Sequence, residues 1–185
     1  MSKYNSDSFL KEVENAKINI FITSASFETR CFKVPNAIRQ VNFRSFIFYN
    51  ENESHKIVTN AREIKTILTD STLIKLNSDS PIDNFFKIEG ILNEVALGLL
   101  AYAENEVAKP NILIDTTTFT HETLLVIIRL LAVKAEFFGN IYVSYVGAKD
   151  YSTNTESDDE KWLSKGIKEI RTILGYSGVT DPTYK

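Results

Sequence analysis

The sequence predicts an α/β fold: a three-layer sandwich built on a mainly parallel sheet of about five strands. Short, β-branched, continuously apolar runs recur along the chain, the kind of segment expected in a strand covered on both faces. Between them lie segments whose apolar residues recur at helical spacing. Strands alternating with helices close through right-handed crossovers into a parallel sheet with helices on both sides.

The strands are expected at residues 17–24 (KINIFITS), 44–50 (RSFIFYN), 71–76 (STLIKL), 111–115 (NILID) and 140–147 (NIYVSYVG). A first helix, marked by Phe9, Leu10, Val13 and Ala16, precedes them. Ile57, Ala61, Ile64 and Leu68 form the next stripe, behind a Ser54 cap. Ser80 followed by Pro81 reads as a cap and a proline at the first helical position. The stripe Phe85, Ile88, Leu92, Ala96, Leu99 and Ala103 then predicts one long helix over 82–107, with Gly90 and Gly98 as points of bending or close packing, and Pro110 forbids its continuation. Residues 121–138 are apolar nearly all round, which predicts a helix buried on more than one side. A last helix over 156–175 opens with acids, ends with bases, and buries Leu163, Ile167, Ile170 and Leu174. This alternation is Rossmann-like, and in such sheets a ligand sits outside the carboxyl ends of the strands.

The 185 residues, 43% hydrophobic, fit a single ligand-binding domain over 1–175 with a loosely ordered tail at 176–185. With 21 basic against 24 acidic residues and a net charge of −3, no basic excess is available to coat a phosphate backbone, so duplex nucleic acid is not the expected partner. One cysteine, Cys31, makes neither an internal disulfide nor a multi-thiolate site, and two separated histidines supply no metal pair; neither metal nor cofactor is expected. The first sixteen residues are polar, and the longest apolar run, 124–135, is broken by Arg129 and Lys134. It falls short of the roughly 20 residues a bilayer requires, so a cytoplasmic protein without a membrane partner is expected.

The chemistry concentrates where strands end. After the first strand come Ser24, Ser26, Glu28 and Arg30: two hydroxyls suited to phosphate oxygens, a carboxylate, and an arginine expected to be exposed and to grip phosphate through its planar fork. A surface Glu28–Arg30 pair and serines capping a turn explain the same residues without a ligand. After the fourth strand come Asp115, Thr116, Thr117, Thr118, Thr120, His121 and Glu122, opening into an apolar helix. One cap needs one hydroxyl, and four threonines beside an acid make an anion cradle at a helix N-terminus. Asp115 is expected to brace that turn. Asn50, Asn77, Ser78, Lys149 and Tyr151 complete the rim, Lys149 within reach of a phosphate. His55 reads as solvated and Cys31 as a packed small hydrophobe. Neither GxGxxG nor a Walker loop is present, nor a GxSxG elbow.

The two turns together resemble those of CRISPR-associated Rossmann-fold (CARF-like) sensor domains, whose second turn reads Asp-x-Thr-Gly-Gly-Thr-Lys. Asp115, Thr117 and Thr120 fall at compatible places, while Thr118 and Phe119 replace the glycines and His121 the lysine. The resemblance implies a homo-oligomeric nucleotide sensor, of a cyclic oligonucleotide or related molecule, coupled to an effector protein in antiviral defense. Residues 21–26 (FITSAS) also look like the opening strand and loop of TIR-type and nucleoside-transferase-like folds, which implies an enzyme cleaving NAD or nucleotides with Glu28 or Glu122 as its carboxylate. A protein-interaction subunit without a ligand is the third alternative.

Overall fold

The computed structural model describes residues 6–50, 54–100 and 109–147, together with Ile173 and Tyr176. Five parallel strands, β1 (Ile18–Ser24), β2 (Arg44–Asn50), β3 (Ser71–Leu76), β4 (Asn111–Asp115) and β5 (Ile141–Ser144), form one sheet in the order β3-β2-β1-β4-β5. β1 to β3 grow outward in one direction, and the chain then crosses back to place β4 on the other side of β1. The strand order therefore reverses between β1 and β4, which opens a crevice at their carboxyl ends.

Helices cover both faces, as the alternation predicts. On one face α4 (Pro81–Leu100) and α5 (His121–Val133) supply Ile88, Leu92, Val126, Ile127 and Leu130, which pack on Ile20, Ile22, Phe46, Phe48, Ile112 and Ile114. On the other, α1 (Ser6–Asn15), α2 (Lys33–Ile38) and α3 (His55–Ile67) set Val13, Val34, Ile38, Ile57, Ala61 and Ile64 against Phe21, Ile47 and Leu113. The alternation of partners along β1 and β2 is the pleat itself: successive side chains point to opposite faces. Local chemistry places the helix starts. Ser54 accepts a hydrogen bond from the Lys56 N–H, Thr120 from that of Thr123, and Pro81 takes the first position of α4, where an N–H has no partner to lose.

Four details depart from the sequence reading. Residues 29–38 are helical, as a 3₁₀ turn over Thr29–Phe32 running into α2. These ten residues, interrupted by Pro35, carry no long apolar stripe, yet Cys31, Val34, Pro35 and Ile38 are buried. β5 is shorter than 140–147, and as an edge strand it leaves Ile141, Tyr142 and Val143 between 37% and 65% exposed. The helix predicted over 121–138 ends as α5 at Val133 and is buried on one broad face only, with Ile128 and Val133 exposed. At Gly90 an added Cβ would meet nothing within 4 Å, so that glycine makes no close approach. The helix predicted over 156–175, the tail, and the end of the 82–107 helix beyond residue 100 lie outside the described residues. No helix among the described residues is long and apolar enough to cross a membrane.

Candidate functional site

The switch point brings the two predicted turns together. β1 and β4 are hydrogen-bonded neighbours, so Ser24 and Asp115 end adjacent strands. The Thr118 hydroxyl donates to the Ser24 carbonyl at 2.8 Å, and the Ser24 and Thr118 hydroxyl oxygens stand 3.0 Å apart. A hydroxyl has one proton, so with Thr118 bonded to the carbonyl, Ser24 donates to Thr118. The turns are stitched to each other before any ligand arrives.

Asp115 braces the second turn, as expected. Its Oδ1 accepts the Thr117 N–H at 3.1 Å and also the Thr117 hydroxyl, and its Oδ2 accepts the Thr23 hydroxyl at 3.3 Å. The carboxyl is 1% exposed, and burial pushes its pKa up to about 6 against the opposing pull of the bonds from Thr117 and Thr23. Thr117 passes the brace on: its hydroxyl oxygen accepts the Val146 N–H at 3.0 Å. Thr116 is tied to β5, with its N–H and hydroxyl both donating to the Ser144 carbonyl.

Glu28 and Arg30 form the pair that the ligand-free alternative describes. The Arg30 Nε donates to Glu28 Oε2 at 2.6 Å, a second guanidinium nitrogen pairs with the same oxygen, and Nη1 donates to the Val146 carbonyl at 2.9 Å. Partial burial opposes the guanidinium's charge, but the bonds with Glu28 and Tyr145 outweigh it and hold the pKa above the ordinary arginine value. The expected exposure of Arg30 is corrected: its side chain is 20% exposed, because it lies between the β1 and β5 loops as a clamp. Cys31 is buried, its thiol pushed up in pKa by burial, with Sγ donating to the Ser26 carbonyl at 3.7 Å. That carbonyl also accepts from the buried Asn60 amide at 2.7 Å, which holds the first turn down on α3.

A cleft of about 240 Å³ opens beside these turns, over the carboxyl ends of β1, β2 and β3. Of the predicted residues it gathers Ser24, Ser26, Thr118 and Thr120, and of the weaker rim candidates Asn50 and Ser78. Glu28, Arg30, Asp115, Thr116, Thr117 and His121 lie off it, with His121 exposed at the start of α5. Lys149 and Tyr151 lie outside the described residues. His55 is exposed at the start of α3. The cleft adds residues that sequence reasoning missed: Phe48, Tyr49, Leu76, Asn84 and Phe119. Phe119, in the place of a glycine in the resembled motif, packs on Phe48 with ring centroids 5.8 Å apart and walls the cleft. Asn84 shapes the rim by a two-way clamp, its amide donating to the Asn77 carbonyl at 2.7 Å and its carbonyl accepting the Asn77 N–H at 2.9 Å. A polar residue spaced four positions into a helix from a proline start was the available signal. Glu122, half-buried, is the only charged residue in the cleft wall among the described residues.

Among the described residues no group of three histidine, cysteine or acidic side chains is placed to hold a metal ion. Compared with known protein families and with curated proteins, the chain matches none.

Proposed function

We propose that this chain is a nucleotide-binding sensor or regulatory domain that holds a phosphate-containing ligand, a cyclic oligonucleotide among the candidates, at the carboxyl ends of its strands. The observation that supports it best is the convergence at the switch point. Two hydroxyl-rich turns from opposite halves of the sheet, bonded to each other through Ser24 and Thr118, line a cleft together with the rings of Tyr49 and Phe119. Hydroxyls and a helix N-terminus suit phosphate oxygens, and aromatic rings suit a base. In this reading Ser24, Ser26, Thr118 and Thr120 touch the ligand, while Glu28, Arg30, Asp115, Thr116 and Thr117 position the loops that carry them. Self-association and signalling to an effector protein belong to the same reading.

A sensor is favoured over an enzyme because the Ser24 proton goes to the Thr118 hydroxyl and not to a base, and a hydroxyl needs an activating neighbour to attack. One observation favours the enzyme: Glu122 is a carboxylate in the cleft wall, where a glycosidic bond of NAD or a nucleotide would need one. The test is a thermal-shift screen with mono-, di- and cyclic oligonucleotides and NAD, with the ligand recovered afterwards. A saturable rise in melting temperature with intact ligand supports the sensor, since specific binding stabilises by mass action. No shift with any of them rejects nucleotide binding, and release of nicotinamide or free base at about 1 per second or faster rejects the sensor.

A further inference from the structure

We infer that Ser26 is the hydroxyl that donates to the ligand's phosphate, and that Asn60 is the positioning residue that holds it in place. The inference rests on the nucleotide-binding reading and names the contact that selects the phosphate. Phosphate oxygens are strong acceptors, so a serine or threonine serves one only with a proton that the protein has not already used. The two turns bring four hydroxyls to the cleft: Ser24, Ser26, Thr118 and Thr120. Thr118 donates its one proton to the Ser24 carbonyl, and Ser24 in turn donates to Thr118. Thr120 donates to the Thr123 hydroxyl at 2.9 Å. Ser26 differs from these three. Its hydroxyl oxygen accepts the Glu28 N–H at 3.3 Å, and its proton is left for a partner in the cleft.

Ser26 is also held from behind. Its carbonyl accepts the Asn60 amide at 2.7 Å and the Cys31 thiol at 3.7 Å, while the Glu28 N–H fixes the hydroxyl oxygen. Ser26 is 8% exposed and Asn60 7%, so these bonds lie out of bulk water. A donor fixed in advance loses little freedom on binding, and a hydrogen bond to a charged oxygen is stronger than one to a neutral group. Thr123, which receives the Thr120 proton, keeps its own and is a second donor on the α5 side of the cleft, but Ser26 is the more deeply buried of the two. Ser24, Thr118 and Thr120 have lone pairs to offer and no protons, so they suit ligand groups that donate, such as ribose hydroxyls. The wall therefore sorts the ligand: phosphate to Ser26, sugar to the bonded hydroxyls beside it.

The experiment measures affinities of the four ribonucleosides and their 5′-monophosphates by calorimetry, on the wild type and on Ser26→Ala, Ser24→Ala and Asn60→Ala. The best monophosphate should bind the wild type about tenfold or more tightly than its nucleoside, a difference of roughly 1.4 kcal/mol. Ser26→Ala should lower the monophosphate affinity about tenfold and the nucleoside affinity less than twofold, so that the ratio collapses. Asn60→Ala should move the ratio in the same direction. Ser24→Ala should change both affinities together and leave the ratio within about twofold, because its proton never reaches the ligand. Ser26→Cys keeps the side chain's volume and weakens the donor, so it should lower the ratio as well, and it decides the matter if Ser26→Ala does not fold. A wild-type ratio near one, a ratio unchanged in the Ser26 variants, or an equal collapse in Ser24→Ala overturns the inference while leaving nucleotide binding in place. A ratio unchanged in a folded Asn60→Ala overturns the positioning role. If neither nucleosides nor nucleotides bind, the nucleotide reading fails and this inference falls with it.

Discussion

Asp115 is the residue on which the geometry of the second turn depends, and its ionisation is costly where it sits. The carboxyl is buried with no cationic partner among the described residues, and three hydrogen bonds only partly offset the loss of water. Its pKa in the fold is about 6, above the ordinary value of 3.8. A raised carboxyl pKa means that the folded state holds the proton more tightly than the unfolded chain. The contribution to stability is fully present below about pH 4 and is lost as the pH rises through 6, in total about 3 kcal/mol. Asp115→Asn removes the titration. Urea unfolding of both proteins from pH 4 to 7.5 should show the wild type losing about that much relative to Asp115→Asn, and a constant difference would contradict the assignment. Arg30 makes a different kind of contribution. Because it joins Glu28 to the Val146 carbonyl, Arg30→Ala should lower stability by about 1–2 kcal/mol, and nucleoside affinity should fall less than threefold. Unchanged stability together with a large loss of affinity would make Arg30 a ligand contact and not a clamp.

At the scale of elements, two glycines carry opposite expectations. Gly139 lies between α5 and β5, where its N–H donates to the Pro110 carbonyl. A Cβ there would stand 2.5 Å from the Asn111 side-chain oxygen and 2.9 Å from the Lys109 carbonyl. That Asn111 amide is a junction: its oxygen accepts the Asn140 N–H and its nitrogen donates to the Ala16 carbonyl, so it aligns β4 with both its neighbours. Gly139→Ala should therefore cost about 1–3 kcal/mol. Gly90, inside α4 with open space around it, should gain about 0.5–1 kcal/mol when replaced by alanine, because the unfolded chain loses freedom that the helix does not need. Chemical denaturation of the two variants checks both signs, and a destabilising Gly90→Ala would mean that α4 bends at that position.

At the scale of the whole molecule, an apolar patch on α4 lies outside the core. On α4, Ile82 and Phe86 are 59% and 61% exposed, and Phe86 meets Phe85 edge-on with centroids 5.7 Å apart. Ile82 and Phe86 are four positions apart, so they share one face of α4. Self-association through this surface is expected at micromolar concentration, and Phe86→Glu should weaken it at least tenfold while leaving the fold intact, since the ring is outside the core. Sedimentation velocity on both proteins measures this. A wild type that is strictly monomeric at those concentrations would assign the patch no such role.

What could be read in advance follows from the range of the forces involved. Strands such as 44–50 and 111–115 were legible to the residue, because a strand covered on both faces needs a short unbroken apolar run, and that is a local property of the chain. The hydroxyl-rich turns were legible for a related reason: polar residues crowd together directly after such runs only where backbone must leave the sheet. Strand order is not local. Only the crossover of α4 from β3 back past β1 sets β4 beside β1, and only then do Ser24 and Thr118 meet. The same crossover decides that Ser24 and Thr118 face the cleft while Arg30, six residues beyond Ser24, turns toward β5 and bonds to Val146. Phe48, Tyr49 and Phe119 did not stand out as cleft residues because an aromatic residue near a strand end looks the same from the sequence whether its ring faces a helix or a cavity. Packing separates the two cases. It depends on contacts between residues far apart in the chain, and so the walls of the cleft were decided by the tertiary structure alone.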